Sequence, residues 1–240
     1  MRKIFYSSLA FLVIILIWLI GSFVVDNELV LPTISDTIKA LTELFKSKSF
    51  YANLGASLLR LIISVLISFV LSIIIVSLSM VNSKFGYFIK PFMTFFRVIP
   101  LVSIVLIILL LFGFKIAPFI IVSLLLIPNS YETILSGYYG IDQEMIDVFK
   151  IESNSKFDLV SKVYLPFLSS PIRSSLIESI GLGFKVLVMA EYLAQVNKSY
   201  GNALYEAKTY LETDKLFALS IVLIILCFLI EIPIKKMRSN

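Results

Sequence analysis

A long polar stretch divides an otherwise strongly apolar chain, and it limits the folds that the chain can adopt. Residues 142–166 contain five acidic residues and three lysines, so this stretch cannot lie in hydrocarbon. Apolar residues nevertheless recur in it at helical spacing, in two groups: Met145, Val148 and Phe149, then Phe157, Val160 and Tyr164. Ser155-x-x-Asp158 is a capping box, which predicts that a helix restarts after the Ser-Asn-Ser break at 153–155. The pattern predicts a short helical hairpin on the surface.

The composition indicates a membrane protein. Hydrophobic residues make up 59% of the 240 residues, charged residues make up 15%, and the mean hydropathy is +0.98. Soluble domains are about 45–50% apolar and about 25% charged. The net charge of +5 is small for this length and does not indicate a nucleic-acid partner.

The chain has no histidine and a single cysteine, Cys227. Imidazole acid–base chemistry is therefore excluded, and zinc, haem and iron–sulfur centres have no plausible ligand set. We predict no catalytic residue, no metal and no cofactor.

Six apolar runs are long enough, at about 20 residues, to cross a bilayer. They are residues 4–25, 54–81, 87–112, 116–136, 167–196 and 216–234. The first run follows Met1-Arg2-Lys3 and is interpreted as a retained signal-anchor. We predict an all-α fold: a polytopic transmembrane bundle of about six spans, with the hairpin between the fourth and fifth spans. With no linker or repeat, residues 1–240 form one domain.

Basic residues near the short loops predict the orientation. They favour an N-in and C-in arrangement in the plasma (cytoplasmic) membrane, with the hairpin on the cytoplasmic side. The segment 33–46 is amphipathic and is then expected on the outer surface.

The hairpin resembles the "EAA" loop of the inner-membrane permease subunits of ABC importers. That signature is an acid, two small residues, a glycine six positions after the acid, and a helix closing on Leu-Pro. Asp147 falls on the acid, Ser153 on the glycine, and Leu165-Pro166 on the close. Asp replaces Glu, Val148-Phe149 replaces the small pair, and Ser153 replaces Gly.

Further motifs extend the resemblance over nearly the whole chain. They are Leu31-Pro32-Thr33, Ser57-Leu58-Leu59-Arg60, Arg97-Val98-Ile99-Pro100, and Met189-Ala190-Glu191 after Phe184-Lys185. In this order they resemble the permeases of the nitrate, sulfonate, taurine and thiamine-precursor importer group.

The resemblance implies four partners: an ABC ATP-binding subunit, an extracytoplasmic solute-binding protein, a second permease copy (a homodimer) and membrane lipid. It also implies that a loop of about 138–166 couples the permease to the ATPase. Its candidate residues are Asp147, Phe149, Lys150, Ser153, Ser155 and Pro166, with Phe149 or a neighbouring apolar side chain as the anchor. The chain has no Walker A loop, so ATP hydrolysis would belong to the partner and the chain itself is not expected to be an enzyme.

Charged residues inside spans are costly and are functional by default. The candidate translocation path consists of Arg97, Glu178, Gly181, Lys185 and Glu191. Glu178, Gly181 and Lys185 fall at i, i+3 and i+7, which predicts a shared helix face. Structural ion pairs, or a Lys185 that snorkels, remain open as alternatives. Arg60 and Glu132 lie near span ends and are expected to be interfacial anchors.

Two other classes of protein fit part of the pattern. An ion- or proton-coupled secondary transporter could use Glu178 and Lys185, but the inverted repeats typical of that class are not visible. A membrane-embedded enzyme would need acids at one depth, whereas Glu178 and Glu191 lie about 20 Å apart along a helix.

Overall fold

The computed structural model describes the backbone of residues 2–152 and 156–238. It describes the side chains of residue 6 and of residues 9–230, apart from residues 11, 143, 150 and 152–157. The described residues are mostly helical. The helices are α1 Arg2–Val25, α2 Ile34–Lys46, α3 Lys48–Val81, α4 Ser83–Val98, α5 Leu101–Tyr139, α6 Gln143–Glu152, α7 Lys156–Leu159, α8 Leu165–Ala194, α9 Tyr200–Thr209 and α10 Thr213–Arg238, with a π-helical turn at Val160–Tyr164. The predicted all-α bundle is confirmed.

Three helices within the described residues are long and apolar enough to cross a membrane: α3, α5 and the Thr213–Ile230 part of α10. The Leu12–Val25 part of α1 is a shorter apolar helix. α8 is 30 residues long, and its sequence carries Arg173, Glu178, Lys185 and Glu191. These charges interrupt the apolar run that the sequence predicts as the fifth span.

The predicted third span, 87–112, is not one continuous helix. α4 ends at Val98 and α5 begins at Leu101, since Ile99 is extended (ψ 132°) and Pro100 precedes the new helix. The residue before a proline is disfavoured in helical geometry, which explains the break. The boundary predicted between the third and fourth spans is visible inside α5, where Gly113 has φ 71° and ψ 170° and separates two helical segments.

Contacts between side chains show how the central helices run. Ser72 of α3 donates to the Ile127 carbonyl (3.1 Å), and Tyr131 donates to Ser79 (3.4 Å). The contact further along α3 is also further along α5, so α3 and the second segment of α5 run in parallel. α8 runs the opposite way.

The direction of α8 follows from two contacts. Ser130 lies 2.9 Å from Ser179, while Glu191, further along α8, pairs with Arg60 near the start of α3. The bundle therefore has two distinct ends. We call the end with Arg60, Glu191 and α9 the Glu191 end, and the end with α6 and α7 the hairpin end.

The main hydrophobic core lies between α3, α5 and α8, with contributions from α9 and α10. Its fully buried side chains include Ile121, Leu126, Phe184, Leu187 and Leu219. The amphipathic helix predicted near 33–46 is α2, which begins with Thr33 as its N-cap and buries Thr37, Ala40 and Leu44.

Candidate functional site

The polar stretch forms the predicted helical hairpin, and the hairpin has its own small core. Ile141, Ile146 and Val163 are buried, and Phe149 is among the partly buried residues packed against them. α6 is joined to the bundle by the short bend after α5, and Asp142 accepts the backbone N–H of Glu144 at its start (3.0 Å). The apolar side of α6 therefore packs against the second half of the hairpin.

The opposite side of α6 is apolar as well, and it is open. Val148 is 58% exposed and Ile151 is 87% exposed, and Met145 lies beside them. Asp147 is also exposed on this helix. The sequence predicted Phe149 or a neighbouring apolar side chain as the anchor for a partner. In the structure Phe149 packs inward, and the neighbouring apolar residues that face outward are Met145, Val148 and Ile151. Their spacing of three residues was the signal that could have identified this face.

Some predicted coupling residues fall where the structure gives no description. Ser153 and Ser155 lie outside the described residues, as does the Lys150 side chain. α7 begins at Lys156, where the capping box predicts a helix to restart. Pro166 lies in the first turn of α8, directly after the π-helical turn.

The second half of the hairpin continues into α8 without a break. α7, the π-helical turn and α8 follow one another from Lys156 to Ala194, with helical backbone angles at both junctions. Asp158 and Lys162 form an i, i+4 ion pair at 3.2 Å on this segment. The second half of the hairpin and α8 therefore share one continuous helical backbone.

The three α8 residues predicted on one face differ in burial. Lys185 is exposed, Glu178 is partly buried, and Gly181 is buried against the bundle. An i, i+7 pair lies on one side of a helix, whereas the i+3 residue is displaced by about 60° around the axis at 3.6 residues per turn. The outward face of α8 instead carries Glu178, Lys185 and Met189.

Arg97 lies near the end of α4 and pairs with Glu132 of α5 at 3.8 Å. Both side chains are partly exposed, and Glu132 is one residue from Tyr131, which contacts the hairpin end of α3. Arg97 therefore lies away from Glu191, which pairs with Arg60 at the other end of the bundle.

Glu191 lies at the centre of a buried polar network. Its side chain is 0% exposed and accepts from Ser57 Oγ (2.6 Å), Arg60 (2.8 Å) and the Gly201 backbone N–H (3.3 Å). Ser57 in turn accepts the backbone N–H of Tyr200 (2.9 Å). The network joins α3, α8 and α9.

Neighbouring contacts tighten the same region. Arg60 also donates to the Lys198 carbonyl (3.2 and 3.3 Å), and the Tyr200 hydroxyl donates to the Leu219 carbonyl (2.6 Å). Burial raises the pKa of the Tyr200 phenol well above its usual range, so the hydroxyl stays protonated and can donate. The sequence treated Arg60 as an interfacial anchor and did not identify its pairing with Glu191, which is 131 residues away.

The bundle therefore has two chemically different ends. One carries the open apolar surface of α6, and the other carries the buried charge network at the far end of α8. α8 continues the hairpin and bears Glu191, and it also carries Lys185 on its outward face. α7, the π-helical turn and α8 together form one continuous helical segment between the two ends.

The sequence is similar to known transport proteins. A family model described as "Binding-protein-dependent transport system inner membrane component" matches residues 65–235. The chain is also 26% identical over 208 residues to the protein named Putative aliphatic sulfonates transport permease protein SsuC, from Bacillus subtilis (strain 168). That alignment covers 86% of this chain and 75% of the relative.

Proposed function

Because the chain belongs to the family of binding-protein-dependent transport system inner membrane components, we propose that it forms the translocation path of an ABC importer for a small solute. The whole chain acts as one permease domain, and a separate ATP-binding subunit hydrolyses ATP. A solute-binding protein delivers the solute at the outer surface. The similarity to SsuC favours an aliphatic sulfonate or a related organic oxyanion as the solute.

The single observation that carries this proposal is the open apolar face of α6. Met145, Val148 and Ile151 lie side by side on a helix whose other side is already packed. Exposed apolar groups surrounded by charged residues are typical of a protein interface. The ATP-binding subunit covers this face, with Asp147 at its polar rim.

The continuity from α7 into α8 supports a mechanism for coupling. When the ATPase pair closes, it displaces the hairpin, and the displacement moves α8 as a rigid element. The buried network around Glu191 holds the far end of α8 to α3 and α9. We therefore assign Glu191 to the support of the path, and leave the solute-facing role to other residues.

The outward face of α8 supports a second permease copy. Lys185 is exposed on the single chain near the middle of a 30-residue helix. A charge that faces lipid at this depth costs about 2.5–3.5 kcal/mol on insertion scales. A homodimer in which Glu178 and Lys185 of each copy face a shared aqueous path removes that cost. Arg97 and Gly181 then act in helix packing near the path.

The orientation follows from the same assignment. The hairpin end faces the cytoplasm, with the N- and C-termini inside, and the Glu191 end faces outward. α2 then lies on the outer surface, where it can contact the solute-binding protein.

A paired substitution on α6 tests the proposal. Val148→Glu with Ile151→Glu places two carboxylates on the open face and leaves the inner core of the hairpin intact. ATP-dependent uptake of a radiolabelled alkanesulfonate by cells that express the full transporter should be lost, while the amount of permease in the membrane stays normal.

Val81→Glu is the matched control, because Val81 is 88% exposed at the hairpin end but lies on α3. It should retain uptake. Normal uptake in the α6 double variant would refute the assignment of this face to the ATPase.

A further inference from the structure

A cleft opens at the Glu191 end of the bundle, between α3, α5 and the segment that follows α8. Its volume is about 530 Å³. It is lined by Arg60, Phe114, Lys115, Gln195, Val196 and Asn197. Two of these side chains are cationic, two are amides, and none is acidic.

Arg60 lies at the wall of this cleft, where hydrogen bonds fix its guanidinium without using all of its N–H donors. The side chain is 18% exposed, and its guanidinium makes three hydrogen bonds, one to Glu191 and two to the Lys198 carbonyl. A guanidinium has five N–H donors. Two of them therefore have no acceptor among the residues that the structure describes.

Lys115 gives the cleft its net positive charge. The Glu191 carboxylate balances the charge of Arg60, whereas Lys115 is exposed and makes no ion pair with any described residue. Lys115 lies two residues after Gly113, whose positive φ turns the chain at this point. The turn places Phe114 and Lys115 at the mouth of the cleft.

We propose that this cleft is an entry subsite that binds the oxyanionic head group of the transported solute before the solute passes along α8. Lys115 provides the net positive charge, and the free N–H groups of Arg60 with the amides of Gln195 and Asn197 donate to the oxygens. Charge-assisted hydrogen bonds of this kind favour a sulfonate or sulfate group. Phe114 and Val196 contact the alkyl part. The inference rests on the proposed transport of an organic oxyanion.

The charge of the cleft can be measured directly with a cysteine at its edge. The reporter is Asn197→Cys in the full-length permease with Cys227→Ala. It is reacted with two methanethiosulfonates, the anionic sulfonatoethyl and the cationic trimethylammonioethyl reagent. Each rate is divided by the rate of the same reagent with free cysteine. We expect the anionic reagent to be favoured about five-fold, because one nearby unit charge acts with opposite sign on the two reagents. Gln195→Cys serves as a second reporter.

Removing the charge of Lys115 should abolish this preference. Lys115→Gln should bring the ratio of the two rates close to one. Lys208→Gln makes the same charge change on the exposed face of α9 and should leave the ratio unchanged. A ratio near one before any charge is removed, or a ratio that survives Lys115→Gln, would overturn the proposal.

Occupancy by a solute is measured in the same system with a neutral thiol reagent. In nanodiscs of neutral phosphatidylcholine, millimolar hexanesulfonate should slow the reaction of Asn197→Cys several-fold, and an equal concentration of chloride should not. Absence of protection would contradict a solute subsite.

A head-group phosphate could compete for the same groups, so nanodiscs with phosphatidylglycerol form the second arm. Protection by this lipid alone, with none by hexanesulfonate, would assign the cleft to lipid and refute the solute subsite.

This result is independent of coupling to the ATPase. If the α6 double variant loses uptake but the cleft shows no anion preference, the importer assignment stands and the subsite fails. If the cleft binds hexanesulfonate but the α6 double variant transports normally, the subsite stands and the proposed coupling surface fails.

Discussion

The buried pair between Arg60 and Glu191 gives the largest stability effect that we expect from a single substitution. Arg60→Met keeps an apolar stem of similar length but removes the ion partner of a carboxylate that is 0% exposed. Ser57 and the Gly201 N–H still donate to Glu191, yet neither neutralises the charge. Removing one partner of a buried ion pair costs about 3–5 kcal/mol, so the free energy of unfolding should fall by about that amount.

A second substitution separates the charge effect from lost packing. Glu191→Gln added to Arg60→Met removes the stranded charge and keeps a side chain that can accept from Ser57. The double variant should recover most of the loss. The free energy of unfolding is measured by titrating the purified protein in mixed micelles with a denaturing detergent.

Arg173→Met is the matched control, because Arg173 is exposed on α8 and surface changes are usually within about 0.5 kcal/mol. Two results would refute a charged pair in which each residue depends on the other. One is equal instability of Arg60→Met and the double variant; the other is a loss of unfolding free energy in Arg60→Met no larger than in the control.

Two other predictions use single positions. Gly201→Ala should destabilise the fold by about 1–3 kcal/mol, since a Cβ there would lie 2.4 Å from the Tyr192 N and 2.5 Å from the Val188 carbonyl oxygen. Gly55→Ala, where a Cβ meets nothing within 4 Å, should stabilise α3 by up to about 1 kcal/mol; equal effects in detergent unfolding would contradict this packing. In a cysteine-free background, Glu144→Cys should react with an impermeant thiol reagent only after the cells are permeabilised, and labelling in intact cells would reverse the proposed orientation.

Hydropathy was enough to predict the helical bundle and the surface hairpin. A long apolar run must satisfy its backbone hydrogen bonds internally, so it forms a helix in the membrane whatever its neighbours are. The helix restart near Lys156 was predictable for a similar reason, since capping is a local property of the sequence. The break between α4 and α5 was harder to predict. Pro100 was visible as a potential bend, but a proline can either kink a helix or end it, and the packing of both segments decides which occurs.

The faces of the helices were predicted less well than the helices themselves. Phe149 and Val148 are neighbours on α6, and Phe149 packs against a cluster that includes Ile141 before the helix and Val163 in the returning segment. Similarly, Gly183 lies against Leu61 and Val65 of α3 and Leu126 of α5, a contact that depends on how three distant segments pack. Spacing along one helix cannot tell which side a neighbouring helix will cover.

Long-range pairing was the largest omission. Arg60 and Glu191 were each recognised as charges in apolar surroundings, one as an anchor and one as part of the path. Both lie toward the same predicted side of the membrane, which was a usable signal that they could meet. The contact with Gly201 was not predictable, because it depends on the turn after α8, where Gln195 and Lys198 adopt positive φ.

The central claim is that the open face of α6 contacts an ABC ATP-binding subunit, and photo-crosslinking tests it most directly. A benzoylphenylalanine is introduced in place of Ile151, or in place of Val81 as the control, in cells that express the full transporter. The account predicts an adduct at position 151 whose mass and peptides identify the permease joined to an ATP-binding subunit, with none at position 81. An adduct with the ATP-binding subunit at position 81 but not at position 151, or no such adduct at either position, would contradict the account.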